Sequence, residues 1–237
     1  MSETSFLTAL RLADSFLPVG TYTASYGIEQ YVNEGDIETA AELGDLVEAY
    51  LRRLVGPAET VALAAAHRAA AADDEAGIRA ADERLHAATL PAEFRDSATK
   101  AGTKLLELLE STDESLFVET TLDGAVAAYA AAVAADETPG QYPVVLGVVT
   151  QRAGLDRREA CLVGAYSVVT ELLGAAQRLG RFGHTDIQSQ LAELLPVIEA
   201  VCDEYVDAEL ASLSSFGPLA EAMGMAHERA DRRLFMS

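Results

Sequence analysis

The chain has 237 residues and a formal net charge of −21, from 38 acidic and 17 basic side chains. The basic residues form no long stripe, which argues against a nucleic-acid partner because phosphate binding needs a basic face. Half of the residues are apolar, aromatic residues make up 6%, and tryptophan is absent. Because alanine and leucine dominate the apolar half, the composition favours helices over strands. We expect one compact all-α domain of about ten helices over residues 1–237.

The first cap signal along the chain is Thr39–Glu42, a capping box that opens a helix with a continuous apolar face. The pair Gly56–Pro57 is expected to end that helix. Later helices are expected between turns rich in proline, glycine and aspartate. They span residues 57–72, 75–88, 91–109, 122–134 and 142–153.

Two further capping boxes mark long helices in the second half of the chain. Asp156–Glu159 predicts a helix that continues to about Arg178, and Thr185–Gln188 predicts another. Pro196 lies inside the second and predicts a kink or a break.

Cys161 and Cys202 lie among apolar neighbours without a C-x-x-C spacing and are expected to be small buried residues. No histidine lies three or four residues from another, so the spacing predicts no helical zinc pair. The string Gly102–Lys104 lacks the order and the preceding glycine of a phosphate loop. We therefore predict no catalytic residue, no metal ligand and no cofactor. Nickel or zinc binding by His184 or His227 at a subunit interface, where symmetry doubles the ligand count, is the open alternative to a surface histidine.

The acidic surface also bears on the environment of the protein. The only lysines are Lys100 and Lys104, and an acidic, lysine-poor surface is typical of a protein kept soluble in strong salt. We expect a halophilic source, an archaeon. The first residues are acidic where a secretion signal is basic, and no apolar run reaches the ~18 residues that span a bilayer. A cytoplasmic protein without membrane contact is expected.

Two connecting segments carry chemistry that suits recognition. Leu17–Gly27 combines turn-forming proline and glycine with Tyr22 and Tyr26, which are typical interface side chains. Arg178–Gln188 places arginines, a histidine and an aspartate on a tight turn. We expect both segments on exposed or dimer-adjacent surfaces, with Glu29 and Arg178 facing solvent. A loop that only covers the core and an ordinary helix connection are the open alternatives.

The C-terminal segment Met223–Ser237 carries Arg229, Arg232 and Arg233 and the pair Leu234–Phe235. Cations and exposed apolar side chains near a terminus suggest docking to a partner. The alternative is that Phe235 folds back onto the core of its own chain.

Taken in order, these segments resemble the UreF family of urease accessory proteins. The matching segments are Leu17–Glu29, Phe94–Leu108, Gln141–Val149, Ala175–Gln188 and Phe216–Ser237. Within them, the chain departs from the family pattern at a few positions. These are Thr21, Gln141, Arg181, His184 and Ile187.

The resemblance implies an all-α homodimer that is not an enzyme and has no cofactor. Such proteins bind a UreD/UreH-type accessory protein, recruit the GTPase UreG and help to deliver nickel to apo-urease, with residues 226–237 as a docking tail. The alternatives are a small helical enzyme with an acidic pocket between helices, and a helical adaptor for an unrelated partner. The residues expected to contact partners are Pro18, Gly20, Tyr22, Tyr26, Glu29, Arg178, Gly183, His184, Thr185, Asp186, Gln188, His227, Glu228, Arg229, Arg233, Leu234 and Phe235.

Overall fold

A computed structural model describes residues 2–20, 24–110, 122–229 and 234–235 of the chain. These residues form eleven α-helices and contain no strand, which confirms the all-α class. In chain order the helices are α1 (Glu3–Leu12), α2 (Ile28–Glu34), α3 (Ala40–Tyr50), α4 (Val61–Ala71), α5 (Glu75–Ala88), α6 (Ala92–Glu110), α7 (Gly124–Ala134), α8 (Tyr142–Arg152), α9 (Arg157–Arg178), α10 (His184–Tyr205) and α11 (Pro218–His227). A π-helical segment, Leu51–Thr60, joins α3 to α4, and a 3-10 turn, Leu210–Ser212, precedes α11.

Two of the predicted capping boxes are confirmed. The Thr39 hydroxyl accepts the Glu42 N–H at 3.2 Å, and the Glu42 carboxylate accepts the Thr39 N–H at 2.9 Å. Asp156 and Glu159 make the same reciprocal pair at 2.8 Å in each direction. These caps satisfy backbone N–H groups that the first helical turn leaves free, so they fix where α3 and α9 begin.

The predicted helix end at Gly56–Pro57 is wrong. The chain continues through both residues as the π-helical segment and runs directly into α4. Gly56 lies so close to α10 that an added Cβ would be 2.7 Å from the Tyr205 ring. Packing against α10 thus keeps helical a stretch that local sequence would interrupt, as tertiary contacts can do.

The third predicted capping box is also wrong, because α10 begins one residue before Thr185. Gly183 precedes the first turn, and its N–H donates to the Asp186 carboxylate at 3.1 Å. The predicted break at Pro196 is absent, since α10 continues to Tyr205. Pro196 lies on the exposed side of the helix, where water can bond the carbonyl that proline leaves without a donor.

Helix α4 lies at the centre and packs against α5, α8, α9 and the π-helical segment. One hydrophobic cluster connects it to the surrounding helices, and Cys161 and Cys202 are both buried, as predicted. Among the described helices, α9 has the length and hydropathy of a membrane span, but 56% of its apolar stretch is buried inside the structure. It is a core helix of this bundle.

A buried carboxylate fixes the turn that leads into α8. Asp82 of α5 accepts the Tyr129 hydroxyl at 3.0 Å, the Thr138 hydroxyl at 2.9 Å, and the N–H groups of Gly140 and Gln141, each at 2.7 Å. These bonds use both carboxylate oxygens, and all of them are buried. The buried carboxylate therefore has the hydrogen-bond partners that it needs. Asp82 thus holds Gln141, one of the departures from the family pattern, through the backbone N–H of Gln141.

Candidate partner-binding site

Helix α11 approaches α2 and α6 closely because glycine lies at both contacts. A Cβ on Gly27 would be 3.3 Å from the Gly224 backbone nitrogen, and a Cβ on Gly224 would be 2.7 Å from the Phe94 ring. Gly27 also has a left-handed φ of 82°, which glycine adopts at little cost. This close approach brings the end of α11 between α2 and α6.

The centre of the site is His227, the last residue of α11. Its Nε2 lies 3.1 Å from the Glu29 carboxylate, and its Nδ1 lies 2.9 Å from the Glu93 carboxylate. The imidazole is 1% exposed and Glu29 is 5% exposed. A neutral imidazole donates through one nitrogen only, so the ring donates to both carboxylates only when it carries both protons.

The Glu29 carboxylate also holds the C-terminal segment. It accepts the Leu234 N–H at 2.7 Å and the Phe235 N–H at 3.0 Å. Burial raises the pKa of Glu29, but the hydrogen bonds from Phe235, Leu234 and His227 outweigh burial and hold the pKa below its ordinary value. The Glu29 carboxylate therefore holds the backbone of the C-terminal segment through two N–H groups.

The side chains of Leu234 and Phe235 face different environments. Phe235 is 6% exposed, and the Arg178 guanidinium carbon lies 4.8 Å from the centre of its ring, in a cation–π contact. Leu234 is 65% exposed. The expected exposure of this pair is therefore wrong for Phe235, which folds back onto its own chain, and correct for Leu234.

Two further expectations about exposure need correction. Glu29 is buried rather than solvent-facing because the tail and α11 cover it. Arg178 is half-buried because its guanidinium packs on Phe235. The structure thus brings together Glu29, Arg178, His227, Leu234 and Phe235 from three separate segments of the chain.

The other predicted contact residues of the N-terminal loop lie at or near its surface. Pro18 and Gly20 are exposed, and Tyr26 is half-buried with its ring edge-on to Phe94 at 5.2 Å. The Tyr26 carbonyl accepts the Tyr50 hydroxyl at 2.7 Å, which ties this loop to α3. Tyr22 lies outside the described residues, as does Arg233 of the tail.

The exposed turn at the start of α10 has its own hydrogen bonds. His184 bonds the Gln177 side-chain amide at 2.6 Å, and Asp186 caps α10. All of the predicted contact residues in this turn are exposed. They are Gly183, His184, Thr185, Asp186 and Gln188.

Sequence reasoning missed Glu93, at the start of α6. It contacts His227, and its backbone N–H donates to the Glu228 carboxylate at 3.1 Å. Arg229, which follows Glu228 in the chain and was also predicted to contact a partner, is exposed. The only local signal at Glu93 is an acid in a first helical turn, which has an ordinary electrostatic explanation. Its partners lie more than a hundred residues further along the chain.

The described residues contain no group of three or more His, Cys, Asp or Glu side chains arranged to hold a metal ion. In the His227 cluster the two ring nitrogens point to carboxylates on opposite sides.

An acidic pocket between helices does exist, lined by Glu59, Glu171 and Glu221, with a volume of about 70 Å³. This is well below the roughly 300 Å³ at which ligand sites begin. Burial raises the pKa of Glu59 to about 7.

Comparison with known proteins identifies the family. A family model described as UreF matches residues 37–195, more than half of the chain. The chain belongs to the UreF family. A urease accessory protein UreF of Trichodesmium erythraeum is 34% identical over 229 residues, 97% of this chain and 95% of that protein. Those of Yersinia pseudotuberculosis and Yersinia pestis are 32% identical over 235 residues, 99% of each chain. These relatives are named as accessory proteins and not as enzymes.

Proposed function

We propose that the chain is a urease accessory protein that acts as a scaffold. In this proposal it forms a homodimer in the cytoplasm, binds a UreD/UreH-type accessory protein and recruits the GTPase UreG. The assembly then inserts nickel into apo-urease. Membership of the UreF family and the names of relatives that match nearly the whole chain support this function.

One structural observation carries the proposal at the level of residues. The tail is held by its backbone, so the Leu234 side chain projects outward while the N–H groups of Leu234 and Phe235 are fixed on Glu29. Burying one leucine in a partner contributes roughly 1.5 to 3 kcal/mol. A fixed exposed leucine also loses little conformational freedom on binding, which favours association.

Co-purification with the UreD/UreH-type protein and with UreG tests the function. We expect the wild-type chain to retain the UreD/UreH-type protein, and a chain ending at Arg229 to lose it while keeping helical circular dichroism. Removal of the whole segment 226–237 is a weaker test. It takes away His227 and leaves Glu29 and Glu93 buried without their shared partner, which destabilises the fold.

A point variant separates docking from stability. Leu234→Asp should weaken binding of the UreD/UreH-type protein without lowering the melting midpoint, because this side chain is exposed. Leu195→Asp is the matched control, since Leu195 is also exposed, at 43%, on α10 and is not among the residues that hold Leu234 and Phe235, which are Glu29 and Arg178. Equal binding by both variants and by the truncated chain contradicts the docking role of the tail.

A further inference from the structure

The His227 cluster consists of one imidazole between two carboxylates, Glu29 on α2 and Glu93 on α6. The side chain of His227 is 1% exposed, and those of Glu29 and Glu93 are 6% and 16% exposed. Water therefore has little access to the ring, and the ring nitrogens depend on the two carboxylates for their hydrogen bonds. The protonation state of the ring decides whether both contacts are hydrogen bonds.

Two further charged groups of the described residues adjoin the cluster. On α11 itself, the Glu228 carboxylate accepts the Glu93 backbone N–H at 3.1 Å. On α9, the Arg178 guanidinium carbon lies 4.8 Å from the centre of the Phe235 ring. The group that can place a positive charge directly between Glu29 and Glu93 is the His227 ring.

The ring and the tail contact the same oxygen of Glu29. Glu29 Oε2 lies 3.1 Å from His227 Nε2 and accepts the Phe235 N–H at 3.0 Å, while Oε1 accepts the Leu234 N–H at 2.7 Å. A change in the force between the ring and Oε2 therefore acts on an atom that also holds the tail.

Loss of one ring proton makes one of the two contacts unfavourable. One nitrogen then presents a lone pair to a carboxylate oxygen, at 2.9 Å on the Glu93 side or at 3.1 Å on the Glu29 side, with no hydrogen between them. Two unpaired acceptors in contact cost most where water is excluded. The docked tail helps to cover Glu29, so water reaches that carboxylate when the tail leaves. The neutral ring is therefore less compatible with the docked tail than with the released tail.

We propose that the tail docks on the doubly protonated form of His227, so that the His227 cluster makes docking depend on pH. The docked state then binds the second ring proton more tightly than the released state. Docking is accordingly fully present below the pH at which the ring titrates, and it is lost as the pH rises through that titration. Because Glu29 must also be ionised to accept the tail amides, docking has an optimum between the titrations of Glu29 and His227.

This inference rests on the proposed function in one respect. The exposed Leu234 side chain is presented to the UreD/UreH-type protein only while the tail is docked, so binding of that protein should weaken together with docking as the pH rises. The linkage between the ring and the tail is a property of the free chain and can be measured without a partner.

Two measurements on the intact wild-type chain test the linkage. Nitrogen NMR chemical shifts of the His227 ring distinguish the doubly protonated form from each neutral tautomer. Hydrogen exchange, corrected for the intrinsic rate at each pH, gives the protection of the Leu234 and Phe235 amides. Between about pH 5 and pH 9, we expect the protection to fall with the same midpoint as the loss of the second ring proton. For one linked proton the fall is at most about tenfold per pH unit. The amides of α4 should stay protected.

Three variants separate this linkage from a structural role. Glu93→Gln removes the charge beside Nδ1 but keeps an oxygen that accepts from the ring, so both midpoints should move together to lower pH. A purely structural role of Glu93 would lower the protection at every pH and leave its midpoint in place. His227→Gln has no titrating ring, so its tail protection should not change over the range. His184→Gln is the matched control at an exposed histidine of α10, and it should keep the wild-type profile.

Each outcome decides one of the two proposals. The linkage is wrong if the His227 ring keeps one protonation state over the whole range, or if the tail protection stays constant while the ring titrates. If ring and tail change together but the UreD/UreH-type protein binds at no pH, the linkage holds and the proposed function is wrong. If that protein binds equally well where the tail is released, the linkage holds and the docking role of the tail is wrong.

Discussion

Replacing Glu29 by glutamine is the sharpest test of whether Glu29 holds the C-terminal segment in place. The change keeps the shape of the side chain but removes its charge and one acceptor oxygen. In the wild-type chain the carboxylate accepts from His227, Leu234 and Phe235 at 3.1, 2.7 and 3.0 Å. The glutamine amide has one oxygen, and its NH₂ group cannot accept, so at least one of the three donors loses its partner.

The expected loss follows from these contacts. Hydrogen bonds to a charged group contribute about 1.5 to 3 kcal/mol, and a buried donor left without an acceptor costs about 1 to 3 kcal/mol. We therefore expect Glu29→Gln to weaken tail docking by about 2 to 4 kcal/mol. Each 1.4 kcal/mol is a factor of ten in an equilibrium constant, so docking should weaken by roughly 30- to 1,000-fold.

Native-state hydrogen exchange of the Leu234 and Phe235 amides measures this loss directly, because both amides are protected only while the tail is docked. Glu34→Gln is the control. It makes the same change on the same helix at an exposed residue, whose carboxylate accepts from the Gln30 side-chain amide at 2.5 Å. Unchanged protection of the two tail amides in Glu29→Gln would refute the role of Glu29 as their acceptor.

Three further predictions concern pH, packing and salt. Because the pKa of Glu29 is held below its ordinary value of 4.5, its stabilisation of the tail is fully present above about pH 4.5 and is lost as the pH falls through the lowered pKa; exchange of the tail amides against pH checks this. Gly224→Ala sets a Cβ 2.7 Å from the Phe94 ring, so the melting midpoint should fall with a destabilisation of about 1 to 3 kcal/mol; Gly174→Ala, which meets nothing within 4 Å, should cause no fall. The melting midpoint should rise between ~0.1 M and ~1 M KCl, because salt screens repulsion among the carboxylates. A midpoint that falls steadily over that range contradicts the interpretation of the composition.

Much of the fold could be predicted because caps and turns act locally. The boxes at Thr39–Glu42 and Asp156–Glu159 are made by residues three apart, so they can be recognised without knowing the tertiary structure. Gly56–Pro57 is the contrary case. Local preference predicts a helix end there, but contact with Tyr205 of α10 maintains the helix. No local pattern contains that contact.

The candidate site was harder to predict because its contacts join distant parts of the chain. Glu29 looks like a surface acid at the start of a helix, and its burial depends on His227 and Phe235, about two hundred residues later. The tail itself could be singled out from its arginines and apolar pair. Phe235 turns inward and packs against Arg178, a contact between distant residues that only the folded chain provides.

The manner in which Glu29 grips the tail has a consequence for how this surface can diverge. The carboxylate bonds two main-chain amides, and every residue except proline offers that amide whatever its side chain. The hydrogen bond from residue 234 to Glu29 is therefore available to any residue except proline at that position. Mutation can change the outward side chain to suit a different partner, from leucine to a larger, smaller or charged residue, without loosening the hold on the chain behind it. Anchorage and recognition are thus separable traits at this position.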